Sequence, residues 1–179
     1  MSKQQSKLLH IATIGKTVGL KGDMKLHINS DFPEQFKKGA SFFLNENQSL
    51  TIGDINHERG IVRFVGYASP EDAKKLTNKH LYTTIERTRV ECHLKDGEYF
   101  WFDIEGCKVV EDGEILGVVD EVDRIGITNY LCIVTDEELV NKGFAKSFLL
   151  PFNKPFTLST DIQAKIIIVS GGMDILEAS

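Results

Sequence analysis

No apolar run in this chain of 179 residues approaches the roughly 20 that a membrane helix needs. The opening Met-Ser-Lys-Gln-Gln-Ser-Lys is polar and lacks an apolar core or a small-residue cleavage site, so no signal peptide is expected and the cytoplasm is the expected location. Cysteine is scarce. Cys92, Cys107 and Cys132 are widely spaced and odd in number, without a C-x-x-C pair, which argues against a disulfide framework or a zinc site and fits reduced cytosolic thiols. His10, His27, His57, His80 and His93 are dispersed, with no H-E-x-x-H or mixed Cys/His ligand spacing. Adjacent Cys92 and His93 would face opposite sides of a strand and could not act as a local dyad. No G-x-S-x-G nucleophile elbow is present. Asp103 and Glu105 could share a face as paired carboxylates, but so do most acidic strand surfaces. Gly15-Lys16-Thr17 matches the end of a phosphate-binding loop, yet position 10 is His10 rather than glycine, and Val18-Gly19-Leu20-Lys21-Gly22 leads into a strand rather than a helix. Those glycines read instead as positive-φ and close-approach positions in a tight loop. The residue order therefore calls for no catalytic centre, no cofactor and no metal.

The charge distribution is more informative than its sum. The net charge is −5, but residues 1–90 hold 14 Lys+Arg against 9 Asp+Glu, whereas residues 91–179 hold 7 against 17. A basic half can lie near phosphates, while an acidic half is repelled by bare RNA and attracted to a basic protein. At the start of the acidic half, Glu98-Tyr99-Phe100-Trp101-Phe102-Asp103 sets four consecutive aromatics, including the only tryptophan, between two carboxylates. Read as a strand, it puts Tyr99 and Trp101 on one face and Phe100 and Phe102 on the other. One core cannot take both pairs, so one pair covers another layer of the fold or meets a partner.

Patterning is mostly strand. Met24 to Ile28 and Ile61 to Val65 alternate with period two, Leu50 to Ile55 less regularly, and Ala40 to Leu44 and Leu81 to Ile85 are further candidates. Ser69-Pro70-Glu71-Asp72 carries the marks of a helix start, with Ala73 to Leu76 continuing it and Asn78 ending it. Five or six short strands and one helix predict a small closed barrel over 8–90. Residues 91–97 read as a linker. A second β-domain is expected over 98–175, from strands at 107–110, 115–122, 130–134, 147–150 and 165–169, with Asp112-Gly113 as a type I′ hairpin turn and Gly126 to Asn129 as another link.

Several stretches together resemble the RimM family, bacterial factors for maturation of the small ribosomal subunit. Ile14 to Lys25 is similar to the family's opening segment ending G-x-x-G-E-V-K, and Phe64-Val65-Gly66 with Ala73 and Leu76 to its strand and short helix. Glu98 to Val109 resembles the signature E-Y-Y-W-x-D-L-x-G-x-x-V. Gly117 to Val119, Gly126 to Leu131, Leu149-Leu150-Pro151-Phe152, Asp161 and Ile166 to Val169 follow in order. Departures are Asp23 for glutamate, Phe100 for the second tyrosine, Phe102 for a frequent histidine and Asn129 for a common aspartate.

The resemblance implies a mainly all-β chain of two tandem barrels, a translation-factor-like six-stranded barrel followed by a PRC-type barrel. It further implies a non-catalytic factor that binds the assembling small subunit through a basic head-domain protein, small-subunit protein nineteen; a monomer is expected. Tyr99, Phe100, Trp101 and Asp103 are the expected partner-binding residues. Lys16, Lys21 and Lys25 are expected near ribosomal RNA that is approached without base-by-base reading. The alternatives are a standalone RNA-binding barrel using those three lysines, and an enzyme whose site assembles from distant residues.

Overall fold

Period-two patterning becomes strand wherever it occurs in the first half of the computed structural model. The strands are β1 (Leu8–Val18), β2 (Asp23–Ile28), β3 (Ser41–Asn45), β4 (Gln48–Asn56), β5 (Ile61–Phe64) and β6 (His80–Thr84). They close into a barrel in the order β1-β2-β5-β4-β3-β6. In β2, Met24 and Leu26 point into the core while Lys25 and His27 face out, as alternation requires. Phe36, Phe42, Ile52, Phe64, Leu76 and Leu81 fill the interior. The helix α1 (Pro70–Lys74) starts where expected, with the Ser69 hydroxyl accepting from the Asp72 N–H at 3.2 Å. Asn78 sits at φ 64, and its N–H donates to the Ile14 carbonyl, which returns the chain to the barrel.

Two local expectations fail here. Gly15, Lys16 and Thr17 belong to β1 rather than to a tight loop, although the close-approach role of Gly15 stands, a Cβ there lying 2.9 Å from the Lys25 Cβ and from His27 Nε2; Gly19 and Gly22 do take positive φ, 69 and 80, in the turn that follows. Residues from Ile85 to Glu91 form a helix, α2 (Ile85–Glu91), where the end of a strand was expected at Ile85. The Thr84 side chain caps it by accepting from the Arg87 N–H, and Arg87 pairs with Glu91 one turn on. The β-branched residues Thr83, Thr84, Ile85, Thr88 and Val90 in and before it hide this helix from a propensity reading.

Residues 7–179 are described, in two compact units that divide between His93 and Leu94; the polar stretch 1–6 read for a signal peptide lies outside the described residues. The second unit contains α3 (Trp101–Ile104), β7 (Lys108–Glu111), β8 (Glu114–Ile125), β9 (Thr128–Thr135), α4 (Glu137–Asn141), β10 (Ser147–Pro151), β11 (Thr157–Asp161), β12 (Ile166–Val169) and α5 (Gly172–Glu177). Its strand order is β10-β9-β8-β7-β12-β11, with β12 parallel to β7 and the other neighbours antiparallel. Asp112 and Gly113 turn β7 into β8 at φ 49 and 83, the two positive values that a type I′ turn needs. Ile104, Val109, Leu116, Leu131, Ile133, Leu150 and Ile167 form the core. The strand β11 and the helices α3, α4 and α5 were not anticipated.

The helix α5 is anchored from outside itself. Glu111, at the end of β7, accepts from the N–H groups of Gly171, Gly172 and Met173, with Oε2 at 2.7 Å from the last. A carboxylate there satisfies otherwise unpaired donors and favours the helix dipole. Replacing Glu111 by alanine is expected to lower unfolding stability by about 1–3 kcal/mol. Urea unfolding checks this, and hydrogen exchange should show α5 losing protection first.

Candidate partner-binding surface

The aromatic segment is not a strand, and the correction has a local cause. Phe100 is extended, at φ −70 and ψ 135, and Trp101–Ile104 then make one helical turn, closed by the Glu105 N–H donating to the Trp101 carbonyl at 2.9 Å. Ile104 is fully buried, and Gly106 reverses the chain at φ 82. Trp101 and Ile104 are three apart in a helix and so face the same side. Tyr99 and Trp101 both pack on the edge of the second core, half-buried, and Phe100 and Phe102 stack on each other at 5.0 Å and 13°. The two expected pairs therefore persist, but the helical turn sets them rather than strand alternation. Phe100 is only 7% exposed, while Phe102 and Asp103 are half-buried.

Polar contacts hold this turn from beneath. Lys165, at φ 57, donates through Nζ to the carbonyls of Asp103 at 2.7 Å and Glu105 at 3.2 Å. The Cys107 thiol donates to the Asp103 carbonyl at 3.4 Å. A lysine at the carboxyl end of a helical turn satisfies acceptors that have no partner within the turn.

A continuous set of contacts joins the rings to the β8–β9 hairpin. The Arg124 guanidinium lies 5.6 Å from the Trp101 ring centroid, in cation–π range. Its Nε donates to Asn129 Oδ1 at 2.9 Å, which fixes the guanidinium plane. The Phe152 N–H donates to the Asn129 carbonyl at 2.8 Å, and the Phe152 ring meets Tyr99 at 6.1 Å. Ile125 and Ile127, near the tip of the hairpin, are exposed. Arg124 was not anticipated as a member of this set. It is the only arginine in residues 91–179, and that was the available signal. Farther along the outer face of the same hairpin, Asp120, Glu121 and Asp123 approach Cys132 closely enough to reinforce the upward push that burial gives its thiol.

In the first unit, Lys16 is exposed on β1 and Lys25 on β2, with Lys25 Nζ donating to the Arg59 carbonyl at 2.9 Å. Lys21 lies in the connecting turn, beside Arg59 and Arg63 in a groove of about 480 Å³ that also contains Asp23 and Asp54. Asp23 is engaged by Arg63 at 2.7 Å.

The titratable groups define the chemistry on offer. Burial pushes the Cys92 thiol up to about 11, helped by Glu34 and Glu91, and burial also raises Cys107. A thiol raised in this way is a poor nucleophile at neutral pH. Among the described residues no group of three or more His, Cys, Asp or Glu side chains is arranged to hold a metal.

The family model described as the RimM N-terminal domain matches residues 9–88, and the RimM PRC barrel domain matches residues 101–175. The chain belongs to the RimM family. It is similar to the ribosome maturation factor RimM of Sulfurimonas denitrificans, 76% identical over 179 residues with both chains fully covered. The RimM of Sulfurovum sp. (strain NBC37-1) is 48% identical over the full length of both chains. That of Aliarcobacter butzleri is 49% identical over 96% of this chain and 97% of its own. The RimM architecture of a first barrel followed by a PRC barrel domain thus agrees with the expected fold class.

His10 provides a check on the barrel exterior. Burial lowers its pKa below the ordinary 6.5, and the neighbouring His80 lowers it further. Because the folded value lies below the unfolded one, this group's contribution is complete above 6.5 and is lost as the pH falls below it. An NMR titration should find His10 titrating low, and His80→Gln should raise it only part of the way back, because burial remains.

Proposed function

We propose that this chain is a non-catalytic, cytoplasmic ribosome maturation factor that assists late assembly of the small subunit and processing of its RNA. It acts as a monomer that grips a basic protein of the subunit head, small-subunit protein nineteen in family terms, through the domain over 98–175. The observation that carries this reading is the joined set Tyr99, Phe152, Asn129, Arg124 and Trp101 on a strongly acidic unit. Aromatic and arginine side chains held rigidly at a surface are favoured as binding anchors, because little side-chain freedom remains to be lost on association. Asp103 beside the rings, with Asp120, Glu121 and Asp123 on β8, supplies a field that draws a lysine- and arginine-rich partner and speeds its encounter. The names of the full-length relatives support the ribosomal assignment. Lys16, Lys21 and Lys25 of the domain over 8–90 then lie near ribosomal RNA.

Co-sedimentation with small subunits from cells lacking the factor tests the grip. Tyr99→Ala combined with Arg124→Ala is expected to lower recovery about tenfold or more, with the second unit still folded by hydrogen exchange. Equal recovery of variant and wild type would overturn the assignment of these residues. Incubating the purified protein with precursor ribosomal RNA is expected to create no new ends; cleavage abolished by a point substitution would favour the enzyme reading instead.

A further inference from the structure

The outside of β6–β1–β2 in the first unit carries rings where it could carry charge. The pairing register lays Tyr82 opposite His10, His80 opposite Thr13, and Thr13 opposite His27. Phe43 on β3 extends the first row, opposite Tyr82. The His10 and His80 rings meet edge to face at 4.4 Å, and Tyr82 lies 5.7 Å from His10 and 6.3 Å from His80. The Thr13 hydroxyl lies 3.1 Å from both His10 Nε2 and His80 Nδ1, which ties the two imidazoles together. His10, His27 and His80 are exposed, and Tyr82 and Phe43 are half-buried. Gly15 follows on β1. Any side chain there would collide with His27, so the bare backbone leaves room for that ring against the strand.

Positive charge predominates on this face. Exposed Lys16 and Lys25 flank the rings on β1 and β2. The three strands together contain one carboxylate, Asp23, already engaged by Arg63. With that one carboxylate neutralised, the face suits phosphate, and tyrosine and histidine faces suit nucleobases of any sequence. A duplex hides its base faces and would leave the rings without partners, whereas an unpaired strand exposes them. The rings stand edge to face rather than coplanar, which suits splayed bases more than a continuous stack.

We infer that this face binds unpaired RNA, with bases against His10, His80 and Tyr82 and the backbone running toward Lys16 and Lys25. The surface lies wholly within the first unit and does not rest on the protein partner proposed for the second. It also moves the RNA contact from the lysines alone to the rings, so binding survives at salt concentrations that remove purely electrostatic attachment.

The test is fluorescence anisotropy of the full chain with a labelled oligoadenylate of about twelve nucleotides, within the site sizes known for small barrels. Wild type should bind it, His10→Ala/His80→Ala should weaken binding roughly tenfold or more, and Lys25→Ala should reduce the salt slope by about 0.7. A duplex of the same length should bind more weakly and be indifferent to the histidine substitutions. On the wild-type chain, the imidazole protons of His10 and His80 should shift upfield when the oligomer is added while those of His57 and His93 stay in place; this readout needs no variant to fold. Absence of binding, equal binding by the double variant, preference for duplex, or unmoved ring signals would each overturn the inference.

Discussion

Burial of Ile104 at the end of a single helical turn decides what the rings before it can do. The side chain is fully enclosed, and Gly106 turns the chain at positive φ immediately afterwards. With its end held by the core, the turn cannot rotate without withdrawing a residue whose burial is worth on the order of 1.5–3 kcal/mol. Trp101 is thereby fixed at the core edge, three residues back along the turn. Lys165 and Cys107 secure the carbonyls of the turn from the other side. A rigid platform of this kind spends little conformational entropy on binding.

From that fixed turn the contacts run outward to the hairpin. Arg124 covers the Trp101 ring, Asn129 orients Arg124, and the backbone of Asn129 holds Phe152 against Tyr99. Asn129 serves Arg124 through a single side-chain oxygen, which is enough to accept from Nε. The acidic strand beside it adds long-range attraction, which governs encounter more than final affinity. The charges of the two units are the physical basis of the roles proposed for them. The acidic unit suits a basic protein, and the first unit suits phosphate and bases through strands almost without carboxylates.

Much of this architecture was legible in the sequence, for identifiable reasons. Alternation marks β2, β4 and β6 because each has one buried face, whereas β1, buried in adjacent pairs at Ile11-Ala12 and Ile14-Gly15, was not anticipated as a strand; Ser69-Pro70 announces α1 through its cap. Asp112-Gly113 marks the β7–β8 turn because few dipeptides accept two positive φ angles. The helical turn at Trp101–Ile104 was illegible, since four aromatic residues have no helical period and the deciding contact, Ile104 with the core, is tertiary. The helix α5 was hidden for a similar reason: its cap comes from Glu111, some sixty residues earlier. The strand β11 (Thr157–Asp161) has mostly polar residues and no buried face to give it a pattern. Of the candidate site, the rings and Asp103 were readable from the aromatic run, whereas Arg124 and Phe152 come to them only through the fold.

The most direct measurement is photo-crosslinking from position 99. A benzoylphenylalanine placed there, in the full chain bound to assembling small subunits, samples whatever lies against the ring platform. The expected product is a crosslink to one lysine- and arginine-rich ribosomal protein, reduced when Arg124 is replaced by alanine. A crosslink mainly to RNA, or none from a chain that still sediments with the subunit, would contradict it.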